Sequence, residues 1–283
     1  MVAFIDVNGA RLAYAISDND TTKPLLITLH GGRGFGSHES DHRAYLPLND
    51  SYRILSFDYR GHGQSSRTGP YSFRQLVDDI EAMRMHFAAQ SDLFILCGGS
   101  FGGYLAQQYA LTYPEKLSHL ILRGTAPSYH HELEAVKVLG QRMHKAPSLS
   151  LNQLKNKIFG AFESDTEFQL VMHAAAPLYS ESFDADAALA ATLKIVYFAE
   201  SHNALYSERE KYFDYRESLH LVAAKTLIIV GDQDWICPPS QSRVMAALIP
   251  NAQLEVFAGA NHSVHIEKNS EVIATIRGWI GDL

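Results

Sequence analysis

Ser100 sits at the centre of Gly98-Gly99-Ser100-Phe101-Gly102, between the apolar run Leu93–Gly98 and a helical pattern that begins at Phe101. A G-x-S-x-G pentapeptide in that context describes a sharp strand-to-helix turn. Such a turn forces its central residue into a strained backbone conformation and lifts the hydroxyl above the sheet edge, near the positive end of the helix. Small neighbours are needed because bulky side chains would collide across the turn. Alone the pattern says little, since Gly and Ser are common; between an apolar strand and a helix it says much. The chemistry implied is attack of the hydroxyl on a carbonyl and a covalent acyl intermediate, provided that a base removes the proton.

Sites built on such a turn run in the chain order serine, acid, histidine. There are 14 histidines. His30, His38, His42 and His62 precede the turn and fit the order badly. His262, in Gly259-Ala-Asn-His262-Ser, lies between the last strand pattern and the last helix, where ligands bind in open α/β folds. His265 is the rival, and its position reads as the start of the helix. The acid must orient the imidazole and stabilise its cation. Gly231-Asp232-Gln233-Asp234-Trp235 offers two carboxylates; Asp234 is preferred, because Asp232 abuts the strand and suits a turn cap. An oxyanion needs backbone N–H donors. Phe101, after the nucleophile, supplies one, and Gly32 in His30-Gly31-Gly32-Arg33-Gly34 supplies the other.

These loops need a sheet to hold them. The opening segment alternates around Asn8-Gly9, a hairpin signal. Short apolar runs follow at Leu25–His30, Arg53–Asp58, Leu93–Gly98, Leu117–Arg123, Thr226–Gly231 and Leu254–Phe257. Each reads as a strand buried on both faces, as in a parallel sheet. Helical patterns intervene at Phe73–Gln90, Phe101–Tyr113, Pro239–Leu248 and Ser270–Ile280, which makes the fold class α/β, a mostly parallel central sheet flanked by helices. Between Pro127 and Val222 the alternation stops and only helical patterns remain. The expected division is a core of residues 1–126 and 223–283 with a helical insertion, a cap, at 127–222. The insertion holds twelve Phe and Tyr residues, from Tyr129 to Tyr215. Their plain role is the insertion's own small core, with some of them free to line a cavity beneath it.

Composition narrows the functional class. The 283 residues are 46% hydrophobic, and 24 Lys and Arg oppose 31 Asp and Glu, a net charge of −7. No basic surplus speaks for nucleic acid. No run approaches the roughly 18 apolar residues of a membrane span, and the start, MVAFIDVNGARLAYAI, lacks the basic and apolar regions of a secretory signal. Two cysteines, Cys97 and Cys237, suit a reducing compartment, so the expected location is cytoplasmic. The sequence sets no oligomeric state. Other signals reduce to structure. Gly32-x-Gly34-x-Gly36 with Asp58 mimics a dinucleotide fingerprint but lacks its spacing. His38-Glu39-Ser40-Asp41-His42 carries metal-ligand types in what reads as a solvated polar loop. His130-His131 opens the insertion without a partner set. Cys97 reads as a small buried hydrophobe and Cys237 as an oxidisable thiol near the acid loop. Asp78-Asp79 reads as a helix face.

Taken together, these segments resemble the α/β-hydrolase superfamily, in its proline iminopeptidase-like group. His30–Gly34 is similar to that group's H-G-G-P-G, and Asp58-Tyr-Arg-Gly-His-Gly-Gln-Ser65 to its D-x-R-G-x-G-x-S. Gly98–Gly103 resembles G-G-S-x-G-G, Gly231–Pro238 resembles G-x-x-D-x-x-x-P, and Gly259–Glu267 resembles G-x-x-H-x-x-x-x-E. The likeness covers about residues 23–126 and 223–283 and supports Asp234 and His262. It implies a cofactor-free serine hydrolase without a metal that releases an N-terminal residue, proline above all, from short peptides. The alternative with the same triad is a small ester or lactone hydrolase; one of another class is a small-molecule receptor on the same fold. The sequence departs from the group at Arg33, where the group has Pro, and this adds a cation to the oxyanion loop. By similarity, Glu200 is the local candidate to grip a substrate amine. Arg33, Glu200 and Trp235 are thus the substrate-binding candidates.

Overall fold

The computed structural model describes residues 2–88 and 93–281. Eight strands form one sheet, β1 (Ala3–Val7), β2 (Ala10–Ile16), β3 (Leu25–Leu29), β4 (Arg53–Phe57), β5 (Phe94–Gly99), β6 (Leu117–Arg123), β7 (Lys225–Gly231) and β8 (Ala252–Phe257), in the order β1-β2-β4-β3-β5-β6-β7-β8. β1 and β2 are the expected hairpin. Asn8 and Gly9 both take positive φ, 47° and 75°, as the tight two-residue hairpin turn requires. β2 joins β4 antiparallel, and every pair from β4 to β8 is parallel. The main helices are α1 (His38–Tyr45), α2 (Phe73–Phe87), α3 (Phe101–Thr112), α4 (His131–Arg142), α5 (Asp165–Ala175), α6 (Ala185–Lys194), α7 (Ala199–Leu205), α8 (Pro239–Leu248) and α9 (Asn269–Ile280). The last residues expected for α2, Ala89 and Gln90, lie outside the described residues.

Strand side chains alternate between two cores, as the pleat demands. Leu25, Ile27 and Leu29 face one core with α2, α3 and α8. Leu26, Ile95 and Ile229 face the other, with α1 and α9. One expectation fails: β8 is not buried on both faces. It pairs only with β7, and its residues are half-buried or exposed, as an edge strand's are.

Between β6 and β7 the chain runs through α4 to α7 and several short turns, with no strand among the described residues. Phe159, Phe162, Phe168 and Tyr197 build a third cluster there. Phe198 and Phe213 instead join the core of the sheet, so these aromatics do not serve one local core alone.

One polar reading of the sequence also changes. His38-Glu39-Ser40-Asp41-His42 is not a solvated loop. It forms the first turns of α1, with His38 and Asp41 buried. His38 N–H and Nδ1–H both donate to Asp58 Oδ1, at 2.6 and 2.7 Å, and Asp41 accepts from Arg123 Nη2 at 2.9 Å. Asp79 is likewise buried, held by Arg60 through Nε at 2.7 Å and Nη2 at 2.8 Å. Polar types could not reveal this, because the partners are 19 to 82 residues distant in the chain.

The Arg60–Asp79 pair gives a test of what anchors the segment after β4. Asp79→Ala strands a guanidinium whose side chain is 1% exposed, and breaking a buried pair from one side costs about 3–5 kcal/mol. Urea unfolding should register a loss of that size; a loss under about 1 kcal/mol would contradict it.

Candidate active site

Four loops converge at the carboxyl ends of the parallel strands. β5 ends at Gly99 and α3 starts at Phe101, so the whole reversal falls on Ser100, with φ 51° and ψ −118°. Side chains rarely adopt this conformation, which costs of order 1–3 kcal/mol and persists only where the surroundings over-determine it. Here they do. Ser100 N–H donates to Arg123 O at 2.9 Å, and Ser100 O accepts from Thr125 Oγ1 at 2.8 Å. A methyl on Gly98 would meet Gly102 O, and one on Gly102 would meet Leu29 O. The glycines around the serine are therefore dictated by the close approach of backbone to backbone.

The loop after β3 lies against the nucleophile position. A methyl placed on Gly31 would fall 3.1 Å from Ser100 Cβ and 3.7 Å from its Oγ. Gly32, next in the chain, takes φ 89°. The segment after β4 fixes this loop: Gly34 N–H donates to His62 Nε2 at 2.7 Å, while His62 Nδ1–H donates to Arg60 O at 3.0 Å. Burial pushes the His62 pKa down to about 3, so the ring stays neutral and keeps its acceptor.

Asp234 and His262 follow β7 and β8. His262 Nδ1–H donates to Asp234 Oδ2 at 2.8 Å, and Asp234 Oδ1 accepts from the N–H groups of Ile236 and Cys237 at 3.0 and 2.9 Å. Asp234 is thus buried, fully bonded and aimed at the imidazole. Asp232 is exposed and accepts from Gly259 N–H at 2.9 Å. It ties the loop that carries His262. His265 lies apart from Asp234, its Nε2 3.9 Å from Asp41 and its ring stacked on Tyr45.

Ser100 and His262 line one cavity of about 340 Å³, together with Gly31, Gly32, Arg33 and Phe101. No hydrogen bond joins Ser100 Oγ to the imidazole among the described residues; such bonds commonly tighten only when substrate is bound. Arg33, a substrate-binding candidate, lines the cavity. Glu200 and Trp235, the other two, do not. Glu200 is exposed on α7. Trp235 is 0% exposed and packs edge-on to Tyr179 at 5.2 Å, inside the third cluster. Cys237 is also fully buried, 3.6 Å from Tyr104 Oη, with burial holding its thiol protonated, which corrects its reading as oxidisable.

Sequence reasoning missed most of the lining. Phe159, Met172, Tyr179 and Tyr206 come from the segment between β6 and β7, where spacing gives no sign of which face looks inward. His131 also lines the cavity, with Tyr104 Oη donating to its Nε2 at 3.0 Å and its Nδ1–H donating to Ser128 O at 2.9 Å. The same segment is strapped to the loops that carry Asp234 and His262. Arg142 donates to Gln233 O and Oε1, both at 2.8 Å, and Asn261 Nδ2 donates to Leu178 O at 3.0 Å. A second cavity shares Ser37, Ser40 and Ile195 with the first. Among the described residues, no cluster of His, Cys, Asp and Glu could hold a metal, and no helix is long and apolar enough to cross a membrane.

Known proteins resemble this chain. Residues 24–269 match the sequence profile of the family described as alpha/beta hydrolase fold. The chain is similar to the proline iminopeptidase PfmaB of Pestalotiopsis fici, 61% identical over 99% of both chains. It is also similar to a proline iminopeptidase of Xylella fastidiosa, 28% identical over 93% of this chain and 90% of that protein. Among solved structures, the meta-cleavage product hydrolase CumD of Pseudomonas fluorescens IP01 superposes with a TM-score of 0.76, at 22% identity, over 97% of this chain and 95% of that one.

The buried rings predict an acid-sensitive fold. Burial lowers the pKa of His62 to about 3 and those of His131 and His202 to about 4, from 6.5. The unfolded chain binds protons at these positions below pH 6.5, while the folded chain does not until pH 3 to 4. Stability is therefore full above pH 6.5 and falls as pH drops through that window, by up to about 1.4 kcal/mol per unit for each ring. Thermal melts at pH 7 and pH 4.5 should show the decline; equal midpoints would contradict neutral buried rings.

Proposed function

This chain belongs to the alpha/beta hydrolase family and is a serine hydrolase, and from that premise we propose that Ser100, His262 and Asp234 perform its chemistry through an acyl-enzyme. The observation that carries the assignment is the 2.8 Å bond from His262 Nδ1 to a buried Asp234, in a ring that shares a cavity with the strained Ser100. That bond fixes the tautomer and leaves Nε2 unprotonated to accept the Ser100 proton as Oγ attacks a carbonyl. The N–H groups of Phe101 and Gly32 hold the oxyanion. His262 then protonates the leaving group, and water releases the acyl group. The relay needs neither metal nor cofactor. Residues 127–222 act as a cap over a core of 1–126 and 223–283. Two buried free thiols, Cys97 and Cys237, suit work in the cytoplasm.

The substrate reading is release of an N-terminal residue, proline first, from short peptides. Its support is the 61% identity to a proline iminopeptidase along nearly the whole chain. A second reading, hydrolysis of a small ester or lactone, draws on one feature. Asp41 is the carboxylate that lines the cavity among the described residues, and it is engaged by Arg123 at 2.9 Å. An N-terminal ammonium would find no free anion there. The relay and the relatives favour an enzyme over a receptor without turnover.

A fluorophosphonate should label Ser100 in folded protein, and Ser100→Ala should lower turnover by roughly 10⁴-fold or more. Asp234→Asn should cost about 10⁴-fold in kcat through the wrong tautomer. Labelling at another residue, with Ser100→Ala still active, would overturn the assignment. Proline 4-nitroanilide assayed beside 4-nitrophenyl esters and lactones separates the two substrate readings; turnover of esters alone would discard the peptidase.

A further inference from the structure

Arg33 has no ion-pair partner among the described residues. It follows Gly32 in the loop beside Ser100, lines the cavity and is 4% exposed. Nη1 donates to Leu205 O at 3.1 Å, and Nη2 has no hydrogen-bond partner among the described residues. Five rings surround the guanidinium, Tyr206 at 4.0 Å and Phe73, Tyr104, Phe101 and Phe213 at 5.3 to 5.7 Å. No carboxylate among the described residues forms an ion pair with it. Glu132 feels its charge without pairing with it: Glu132 Oε2 lies 3.6 Å from Lys211 Nζ, and its buried Oε1 has no hydrogen-bond partner among the described residues. A guanidinium does not give up its proton on burial. Aromatic faces offset part of the cost of desolvation, and an unsatisfied buried donor requires an explanation.

Two tyrosines add further donors to the cavity. Tyr206 and Tyr179 line it with hydroxyls that have no hydrogen-bond partner among the described residues, and Asp41 is occupied by Arg123. The space offers a fixed positive charge and phenolic donors inside apolar walls.

We propose that the cavity recognises a carboxylate carried by the substrate's acyl portion, docked on Arg33 with help from the Tyr206 hydroxyl. Among esters, the second substrate reading, the enzyme then prefers half-esters of acidic acyl groups to neutral esters of the same length. A carboxylate matches the planar fork of a guanidinium and makes charge-assisted bonds that an ester or alkyl group cannot. The placement on the acyl side rests on the reading of Ser100 as the nucleophile; the existence of the anion site does not.

Calorimetry on Ser100→Ala protein, titrated with benzoate and with benzylamine, tests the site without turnover. Benzoate should bind, benzylamine should not, and adding Arg33→Gln should weaken benzoate at least about tenfold, as loss of a charged hydrogen bond does. Adding Arg33→Lys instead should recover part of the affinity. Tighter binding of benzylamine, measured with Arg33 intact, would overturn the proposal even if the Arg33 variants fail to fold. Indifference of benzoate to Arg33→Gln would do the same. In the enzyme itself, mono-4-nitrophenyl adipate should exceed 4-nitrophenyl hexanoate in kcat/KM by about tenfold or more. Equal values with benzoate still bound would overturn the acyl placement. If Ser100 proves unreactive, the catalytic reading fails, and the benzoate titration still decides the anion site.

Discussion

The strained backbone at Ser100 is the constraint around which the rest of the molecule is organised. Its φ of 51° is tolerable only because neighbours hold it on every side: Arg123 O accepts its N–H, Thr125 binds its carbonyl, and glycines at 98 and 102 let three stretches of backbone pass without side chains between them. The sheet supplies that rigidity. β5 lies between β3 and β6 near the middle of eight strands, where opening one strand means breaking two ladders. The cost of the unfavourable conformation is thus spread through the core, and the hydroxyl is held out for reaction at no expense in later reorganisation.

A second layer of order comes from charged groups taken out of water. Asp58 gathers the start of α1 through His38, Arg60 locks onto Asp79, and a neutral His62 accepts the N–H of Gly34. Each bond is between elements distant in the chain, so together they set how the β3 loop and the β4 loop lie on one another. The position of Gly32 beside Ser100 depends on that packing. Buried pairs of this kind add little net stability against apolar replacements, and their value here lies in fixing one arrangement of loops.

The core was largely legible in the amino-acid order, because its signals are local. An apolar run before Gly98, an Asn-Gly hairpin and a chain order of serine, acid and histidine each depend on a few adjacent residues. Of the two carboxylates the sequence offered, Asp234 bonds to His262, while Asp232 steadies the neighbouring loop at Gly259. The failures have a common physical origin. His38 and Asp41 looked like surface residues because their partners are far away in sequence. β8 looked like an interior strand because apolar content does not reveal an edge. Glu200, assigned by similarity, and Trp235 were expected at the substrate, yet the helical packing turns the first to water and the second into a core. Inward-facing positions between β6 and β7 follow from how several short helices stack, and no period in the sequence encodes that.

The straps from Arg142 to Gln233 and from Asn261 to Leu178 have a mechanical consequence. They run from the aromatic roof to the very loops that bear the acid and the imidazole. Lifting the roof as a hinged flap would drag both groups out of alignment in every catalytic cycle. The two cavities meet at Ser37, Ser40 and Ile195, which take no part in either strap. An opening at that junction would leave the hydrogen bonds of both straps made.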